Sequence, residues 1–262
     1  QELGMTSVAL TDHGTLSGTI EFYKEAKKRD IKPIIGVEAY MAPRGHLDKN
    51  GKIDANPYHL ILLAENYTGY QNIMRLVTIA QLDGFYYKPR IDRELLAKYK
   101  EGIIMLSGCA GGEVAEHIRS GNMAEAENVV RWYQELLGPD NYYLELQDHE
   151  HVWPVQKQIN DAKRELSKKT GVKMVVTADS HYCNPEDREA HEILLCVQTG
   201  RQLADSNRMT MDMSLYLSDP KDVAERWKDL PEVLTNTREI ADRCDVEIEL
   251  GKILIPTFET PE

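Results

Sequence analysis

A chain of 262 residues with a formal net charge of −12 is long enough to bury a large core, and its charge argues against a broad basic surface. A single α/β barrel commonly occupies about 200 to 250 residues, so one main domain with a small appendage is the simplest organisation. Clustered carboxylates that hold metal ions would add to the negative charge, so a nucleic-acid substrate is not excluded.

Strand-like and helix-like segments alternate up to about residue 200, beginning with SVALT at residues 7–11 and the amphipathic SGTIEFYKEAKKRD at residues 17–30. This order predicts an α/β fold with a largely parallel sheet. The next predicted strands cover residues 32–41, 59–64, 102–108, 142–147 and 173–178, and the next predicted helices cover residues 66–82, 112–119, 123–137, 153–170 and 186–198.

Three stretches depart from this alternation. The opening QELG is typical of the last turn of a helix closed by Gly4, which suggests a fragment cut inside a βα unit. Residues 42–57 are polar and rich in Gly, Pro and Asn, so we expect an exposed, variable loop. The pattern changes after residue 200, and we expect a barrel domain over residues 1–200 followed by a smaller extension and linker over residues 201–262.

The cysteines indicate a reducing compartment. They are widely spaced, form no CxxC pair, and suggest neither a disulfide framework nor a zinc ribbon. No apolar run approaches the roughly 20 residues of a membrane span, and no signal segment opens the chain. We therefore expect a cytoplasmic protein without membrane contact. The cysteines are Cys109, Cys183, Cys196 and Cys244.

Potential metal ligands recur where predicted strands end. The carboxyl ends of parallel barrel strands converge on one rim, so these side chains can meet around one site. His59 is the exception because it begins its strand: either that strand is antiparallel, or its start lies at the rim, or the strand boundaries differ. The others are Asp12 and His13 after the first strand, Glu38 late in the second, and then Cys109, Glu145, His149, Asp179 and His181.

Imidazoles, carboxylates and one thiol form a mixed set of nitrogen, oxygen and sulfur donors. Such a set suits zinc, manganese or iron better than calcium or magnesium. Several ions that share carboxylates would support hydrolysis of a phosphoester. We therefore predict a metal-dependent phosphoesterase centre at this rim.

Each residue alone also fits a role without metal. An Asp-His pair after a strand often caps a helix, and a lone Cys109 is typical of a small buried side chain. The stretch QDHEH, with His149 and His151, is so polar that a solvated loop fits it equally well. The conjunction of all these residues favours the metal site. The remaining histidines fall in a loop or on predicted helices and are expected to be structural or exposed: His46, His117 and His191.

Five segments are more specific than any single residue. They are SVALTDHGTLSGTIEFYKEAKKRDIKPIIGVEAYMAPR, YHLILLAENYTGYQNIMRL, GFYYKPRID, LSGCAGGEV and VVTADSHY. Together they resemble the PHP (polymerase and histidinol phosphatase) domains, in the branch found in the alpha subunits of bacterial DNA polymerase III. The resemblance runs over nearly the whole chain.

That resemblance implies a distorted (β/α)7-type PHP barrel that holds up to three divalent metal ions. Family members begin with an HxHxxxS strand that this sequence does not contain, so we expect the first barrel strand to be missing. Asp12, Glu145 and His149 would lie beside the ligands and support them. Of the ligands, Glu38, Asp179 and His181 would form the catalytic centre. The residues that match ligand positions of the family are His13, Glu38, His59, Cys109, Asp179 and His181.

Two functions from different classes follow from the resemblance. The first is a metal-dependent 3′→5′ exonuclease that removes misincorporated nucleotides within a DNA-directed DNA polymerase. The second is a non-catalytic module that stabilises the polymerase or docks a separate proofreading exonuclease. Either implies DNA, at the primer 3′ end, and other replicase subunits as partners. Retention of the ligand-type residues favours the enzyme, and a small-molecule phosphatase is a weaker third option.

The stretch GFYYKPR bears on the substrate. Tyr86 and Tyr87 could stack on bases while Lys88 and Arg90 contact phosphate, which is how proteins bind single strands without reading sequence. A packed aromatic turn with two exposed cations explains the same residues, so both interpretations stay open.

Overall fold

A curled sheet of eight strands with helices packed around it forms the fold in the computed structural model. The structure describes residues 1–211 and 213–252. The strands are β1 (Ser7–Leu10), β2 (Lys32–Met41), β3 (Tyr58–Ala64), β4 (Phe85–Tyr86), β5 (Lys88–Ile91), β6 (Ile103–Leu106), β7 (Tyr142–Gln147) and β8 (Met174–Thr177). The helices are α1 (Thr19–Lys28), α2 (Gly51–Asp54), α3 (Tyr67–Leu82), α4 (Arg93–Lys98), α5 (Glu113–Arg119), α6 (Met123–Leu137), α7 (Pro154–Thr170), α8 (Arg188–Thr199), α9 (Pro220–Arg226) and α10 (Pro231–Arg243), with a 3-10 turn at Pro185–Asp187.

The strand order β4-β5-β2-β3-β6-β7-β8, with β1 also paired to β2, confirms the predicted α/β barrel architecture. The pairs β1–β2, β2–β5, β6–β7 and β7–β8 are parallel. The long strand β2 pairs with β1 through residues 32–35 and with β5 through residues 40–41. The strand β3 is reversed and runs antiparallel to both β2 and β6. Its first residues therefore lie at the edge where its neighbours end.

The central strands are buried on both faces, and their side chains alternate between two hydrophobic cores. In β2, Ile35 and Val37 belong to the larger core, which lies under the surrounding helices, whereas Ile34 belongs to a smaller core on the inner face of the sheet. Burial on both faces explains why these strands are almost continuously apolar in sequence. The strand residues of the smaller core are Ile34, Ile61, Leu63, Ile104, Leu106, Tyr143 and Val175.

Residues after 200 pack into both of these cores. Ile240 of α10 and Cys244 directly after it join the smaller core, while Trp227 and Val246 join the larger one. The predicted boundary at residue 200 therefore does not separate two hydrophobic cores, because the segment through Val246 completes the core of the barrel. The last part of the predicted linker, residues 253–262, lies outside the described residues.

A buried carboxylate fastens this C-terminal segment to the sheet. Asp148, just after β7, is only 4% exposed. Its carboxylate accepts hydrogen bonds from Arg226 Nε at 3.0 Å and from Trp227 Nε1 at 2.8 Å. Charge-assisted bonds of this kind are stronger than neutral ones, so Asp148 ties the end of α9 to the end of β7.

We expect Asp148→Asn to lower the free energy of unfolding by about 2 kcal/mol, because the uncharged amide cannot accept the paired guanidinium bonds. Urea denaturation of the full-length protein measures this loss. The matched control is Asp229→Asn, the same chemical change at an exposed residue of the following loop. Equal stability of the two variants would show that the pair contributes nothing to the packing of α9.

The loop at residues 42–57 is not a free excursion as predicted. Arg90, on β5, is fully buried, and its guanidinium donates to the carbonyl oxygens of Asp54 at 3.1 Å and His46 at 2.9 Å, both in this loop. It also donates to Gly84 O at 3.0 Å. The prediction that Arg90 contacts DNA phosphate is therefore wrong, since its donors are used inside the protein.

The four cysteines are free thiols. Among the described residues, no helix combines the length and the apolar character that crossing a bilayer would require.

Candidate metal centre

Three donor side chains meet at the edge of the sheet where the parallel strands end. His13 follows β1 and forms an isolated bridge with Glu38 of β2, and His59, the second residue of the reversed strand β3, lies opposite Tyr40. The Glu38 carboxylate lies 3.2 Å from His13 Nδ1 through Oε2 and 2.6 Å from His59 Nδ1 through Oε1. One donor atom from each of the three residues lies within 4.8 Å of the others. The antiparallel alternative for the His59 strand is thus the one observed.

Cys109 lies beside this cluster. Its Sγ is 3.5 Å from His59 Nδ1 and 3.7 Å from Glu38 Oε1, and it accepts a hydrogen bond from the Gly111 N–H at 3.3 Å. The turn depends on Gly108, which has φ +77°, and a Cβ there would approach His59 O to 2.4 Å. Glycine at this position therefore lets the Cys109 loop come close to the start of β3.

The charges of the cluster are those of a site that favours a cation. Burial alone would raise the pKa of the Glu38 carboxyl, but the hydrogen bond and charge of His59, reinforced by His13, lower that pKa below its ordinary value. Burial, with nearby Glu38 and Asp179, raises the pKa of the Cys109 thiol. The thiol is therefore neutral beside a charged carboxylate, and a metal ion would favour the thiolate instead.

Asp179 and His181 follow β8 and lie next to the cluster. The ring centroid of His181 is 6.0 Å from that of His13, and its backbone N–H donates to Leu215 O at 2.7 Å. Asp179 has φ +49°, a left-handed conformation that non-glycine residues rarely adopt. Such backbone strain is often found at functional sites. Neither residue belongs to the group of donors within 4.8 Å formed by His13, Glu38 and His59.

Glu145 and His149 lie inside the protein at the end of β7. Thr177 Oγ1 donates to Glu145 Oε1 at 2.6 Å, whereas Glu145 Oε2 and both ring nitrogens of His149 have no partner among the described residues. Burial raises the pKa of Glu145 to about 7 and lowers the pKa of His149. His149 is 1% exposed, so a solvated loop does not describe it, although His151 is exposed. Buried polar atoms without partners indicate a place for water or an ion.

Sequence reasoning missed Lys163, on α7. It is fully buried, and its Nζ donates to Gly108 O at 3.0 Å and to Glu145 O at 2.8 Å. Burial lowers its pKa to about 8. Lysines on a polar helix are normally exposed, which is why it was missed. Its helical spacing from the buried residues Ile159 and Leu166 was the available signal.

Two further residues, Asp12 and His191, lie next to predicted ligands. The Asp12 carboxylate is directed at the start of α1, since a Cβ on Gly18 would lie 3.2 Å from Asp12 Oδ2. His191, expected to be structural or exposed, lies with its ring centroid 5.6 Å from that of His181. Burial and the charge of His181 lower the pKa of His191.

The GFYYKPR segment forms a tight hairpin. Tyr86 pairs with Lys88, and Tyr87 between them has φ +59° and is 70% exposed. The Tyr86 ring packs against Tyr87, at 4.7 Å between centroids, and against the guanidinium of Arg90, whose Cζ is 5.3 Å from the Tyr86 centroid. Of the four predicted nucleic-acid contacts, Tyr87 is thus the most accessible, Tyr86 and Lys88 are partly buried, and Arg90 is enclosed.

Comparisons with known proteins agree with this architecture. Over its whole length the chain is 42% identical to DNA polymerase III subunit alpha of Borreliella burgdorferi and 40% identical to that of Treponema pallidum, of which it covers 23% and 22%. It is 41% identical to the Thermus aquaticus subunit, over 98% of this chain and 22% of the relative. The chain therefore spans less than a quarter of the length of these curated relatives. The model of the PHP domain family matches residues 1–149, which is more than half of the chain, and the chain belongs to that family.

Proposed function

We propose that this domain is a metal-dependent 3′→5′ exonuclease that hydrolyses phosphodiester bonds at the primer end, within the alpha subunit of a bacterial DNA-directed DNA polymerase. The observation that carries the proposal is the convergence of His13, Glu38 and His59 donors within 4.8 Å, with Cys109 beside them. The names of the relatives support DNA as the substrate and other replicase subunits as partners, in the bacterial cytoplasm.

The residues present fit a metal ion. Nitrogen, oxygen and sulfur donors suit zinc, manganese or iron. Glu145 Oε2, which has no hydrogen-bond partner among the described residues, lies close enough to Asp179 and Glu38 to interact with their charges. His13, Glu38, His59 and Cys109 would hold one part of the metal site, and Asp179 with His181 another, for up to three ions in all. When bound, such ions polarise the phosphoryl oxygen and activate water.

The protein itself holds these donors in place. Glu38 uses both carboxylate oxygens to orient the imidazoles of His13 and His59. Lys163 fixes the Cys109 loop to β7 by bridging Gly108 O and Glu145 O. A preorganised donor set of this kind lowers the reorganisation needed when substrate binds.

We expect Glu38→Gln to remove bound metal and to lower 3′-end cleavage by at least about a hundredfold, because a neutral amide cannot replace the shared carboxylate. Elemental analysis of the full-length protein, with cleavage of a mismatched primer, measures both effects, and a chelator should abolish cleavage. Asp179→Ala should also lose activity. The matched control is Glu21→Gln, at an exposed carboxylate of α1.

Other outcomes would assign other functions. Absence of both metal and cleavage in the unaltered protein would leave the domain as a structural module of the polymerase or a docking site for a separate exonuclease. Hydrolysis of phosphate monoesters with DNA ends intact would indicate a small-molecule phosphatase.

A further inference from the structure

We propose that the β4–β5 hairpin, residues 85–91, holds the unpaired end of a single nucleic-acid strand beside the metal centre. In this arrangement Tyr87 stacks on a base and the Lys88 ammonium group contacts a phosphate. The identity of the ligand as a 3′ end rests on the proposed nuclease function. Of the four residues that the sequence predicts to contact nucleic acid, we retain these two, because Arg90 is enclosed and Tyr86 packs against it.

The hairpin lies directly against the backbone that carries His13. A Cβ on Gly14 would lie 2.7 Å from Pro89 Cγ, so only glycine allows this approach. From the neighbouring helix α3, Gln81 Nε2 donates to Gly14 O at 3.0 Å. The hairpin and the metal centre are therefore parts of one packed unit.

A single aromatic ring separates Lys88 from the metal centre. Lys88 Nζ lies 5.4 Å from the centroid of the Tyr40 ring. The Tyr40 centroid in turn lies 5.1 Å from that of His59 and 6.1 Å from that of His13. A phosphate on Lys88 would thus belong to the same strand end, within about three nucleotides of the centre, given the roughly 3.4 Å rise per nucleotide of a stacked strand.

The conformation of Tyr87 gives the second, independent observation. The register pairs Phe85 with Pro89 and Tyr86 with Lys88, which leaves Tyr87 alone at the tip with φ +59°. Bulky residues rarely adopt this conformation, whereas glycine adopts it freely. Its ring contacts the neighbouring Tyr86 ring, at 4.7 Å between centroids, and is 70% exposed. A strained residue whose side chain is mostly exposed indicates a function.

The chemistry of the tip favours a nucleic-acid strand. Tyr87 and Phe85 are 70% and 51% exposed, and Leu82 at the end of α3 is also exposed. Aromatic rings with an adjacent cation bind successive bases and phosphates without reading sequence. Placed beside a centre for phosphodiester hydrolysis, this combination fits an unpaired strand end better than a protein surface.

The test is binding of a single-stranded oligonucleotide to the full-length protein, followed by fluorescence anisotropy in a chelator so that no cleavage occurs. Tyr87→Gly should weaken binding about tenfold by loss of stacking. It should keep or raise the melting temperature, because glycine relieves the positive φ. Lys88→Ala should reduce the slope of log K against log salt by about 0.7, the value for one phosphate of a single strand.

Tyr67→Ala, which removes another exposed tyrosine from the first turn of α3, is the control and should bind like the unaltered protein. Unchanged affinity and salt slope in both hairpin variants would overturn the proposal and leave the tip as a contact for another protein. Tyr87-dependent binding without any cleavage when metal is supplied would support the hairpin contact and contradict only the proposed nuclease function.

Discussion

Replacing Arg90 with methionine is expected to lower the free energy of unfolding by about 3–5 kcal/mol, because three backbone carbonyl oxygens would lose their hydrogen bonds from the buried guanidinium. These belong to His46, Asp54 and Gly84. Two of them lie in the loop at residues 42–57, so the loop should loosen before the sheet does. Urea denaturation measures the stability, and hydrogen exchange of the loop amides locates the change.

The control for Arg90→Met is Lys88→Ala, two residues earlier on the same strand. Its ammonium group contacts the Tyr40 ring but is only partly buried, so we expect a loss below about 1 kcal/mol. If Arg90→Met kept its stability and instead lost affinity for DNA, the buried position of Arg90 would be wrong.

Lys163→Met is expected to lower the free energy of unfolding by about 2–4 kcal/mol and to weaken metal binding about 10- to 100-fold. The methionine would leave Gly108 O and Glu145 O without the buried ammonium donor. Removal of a desolvated charge offsets part of this loss of stability, so the expected decrease in the free energy of unfolding is smaller than that for Arg90→Met. Metal affinity should fall because Gly108 precedes Cys109 and sets the position of its thiol.

Calorimetric titration with zinc and urea denaturation of the full-length protein separate the two effects. The matched control is Lys168→Met, one turn further along α7 on its exposed surface, where we expect a change within about 0.5 kcal/mol. If Lys163→Met bound metal like the unaltered protein, the bridge to the Cys109 loop would have no role in the site.

The alternation of apolar runs and amphipathic helices was sufficient to predict the α/β sheet, because strands buried on both faces leave a strong apolar pattern. The direction of β3 was not predictable, since antiparallel and parallel strands share the same apolar pattern. The role of α10 was also missed. Its few apolar residues, including Ile240, look like those of any surface helix until the open inner face of the sheet is known.

At the candidate site, the sequence identified residues whose side chains can bind a metal ion. It could not identify the buried lysine and arginine that hold the surrounding backbone in place. The expectation that metal ligands lie where strands end identified His13 and Glu38, which the structure brings together with His59. It could not find Lys163, and it placed Arg90 on the surface, because lysine and arginine are exposed in most proteins. Only the packing around them shows that both side chains donate hydrogen bonds to backbone carbonyl oxygens.

The position of α10 limits when the sheet can complete its folding during synthesis on the ribosome. The inner apolar surface of β2, β3, β6, β7 and β8 stays uncovered until Ile240 of α10 and the following Cys244 have been synthesised and released from the exit tunnel. At about 5–20 residues per second, the roughly 70 residues between β8 and Val246 take on the order of 4–14 s to translate. During that interval the nascent barrel displays a hydrophobic surface that chaperones recognise, so a pause in translation after β8 should increase aggregation.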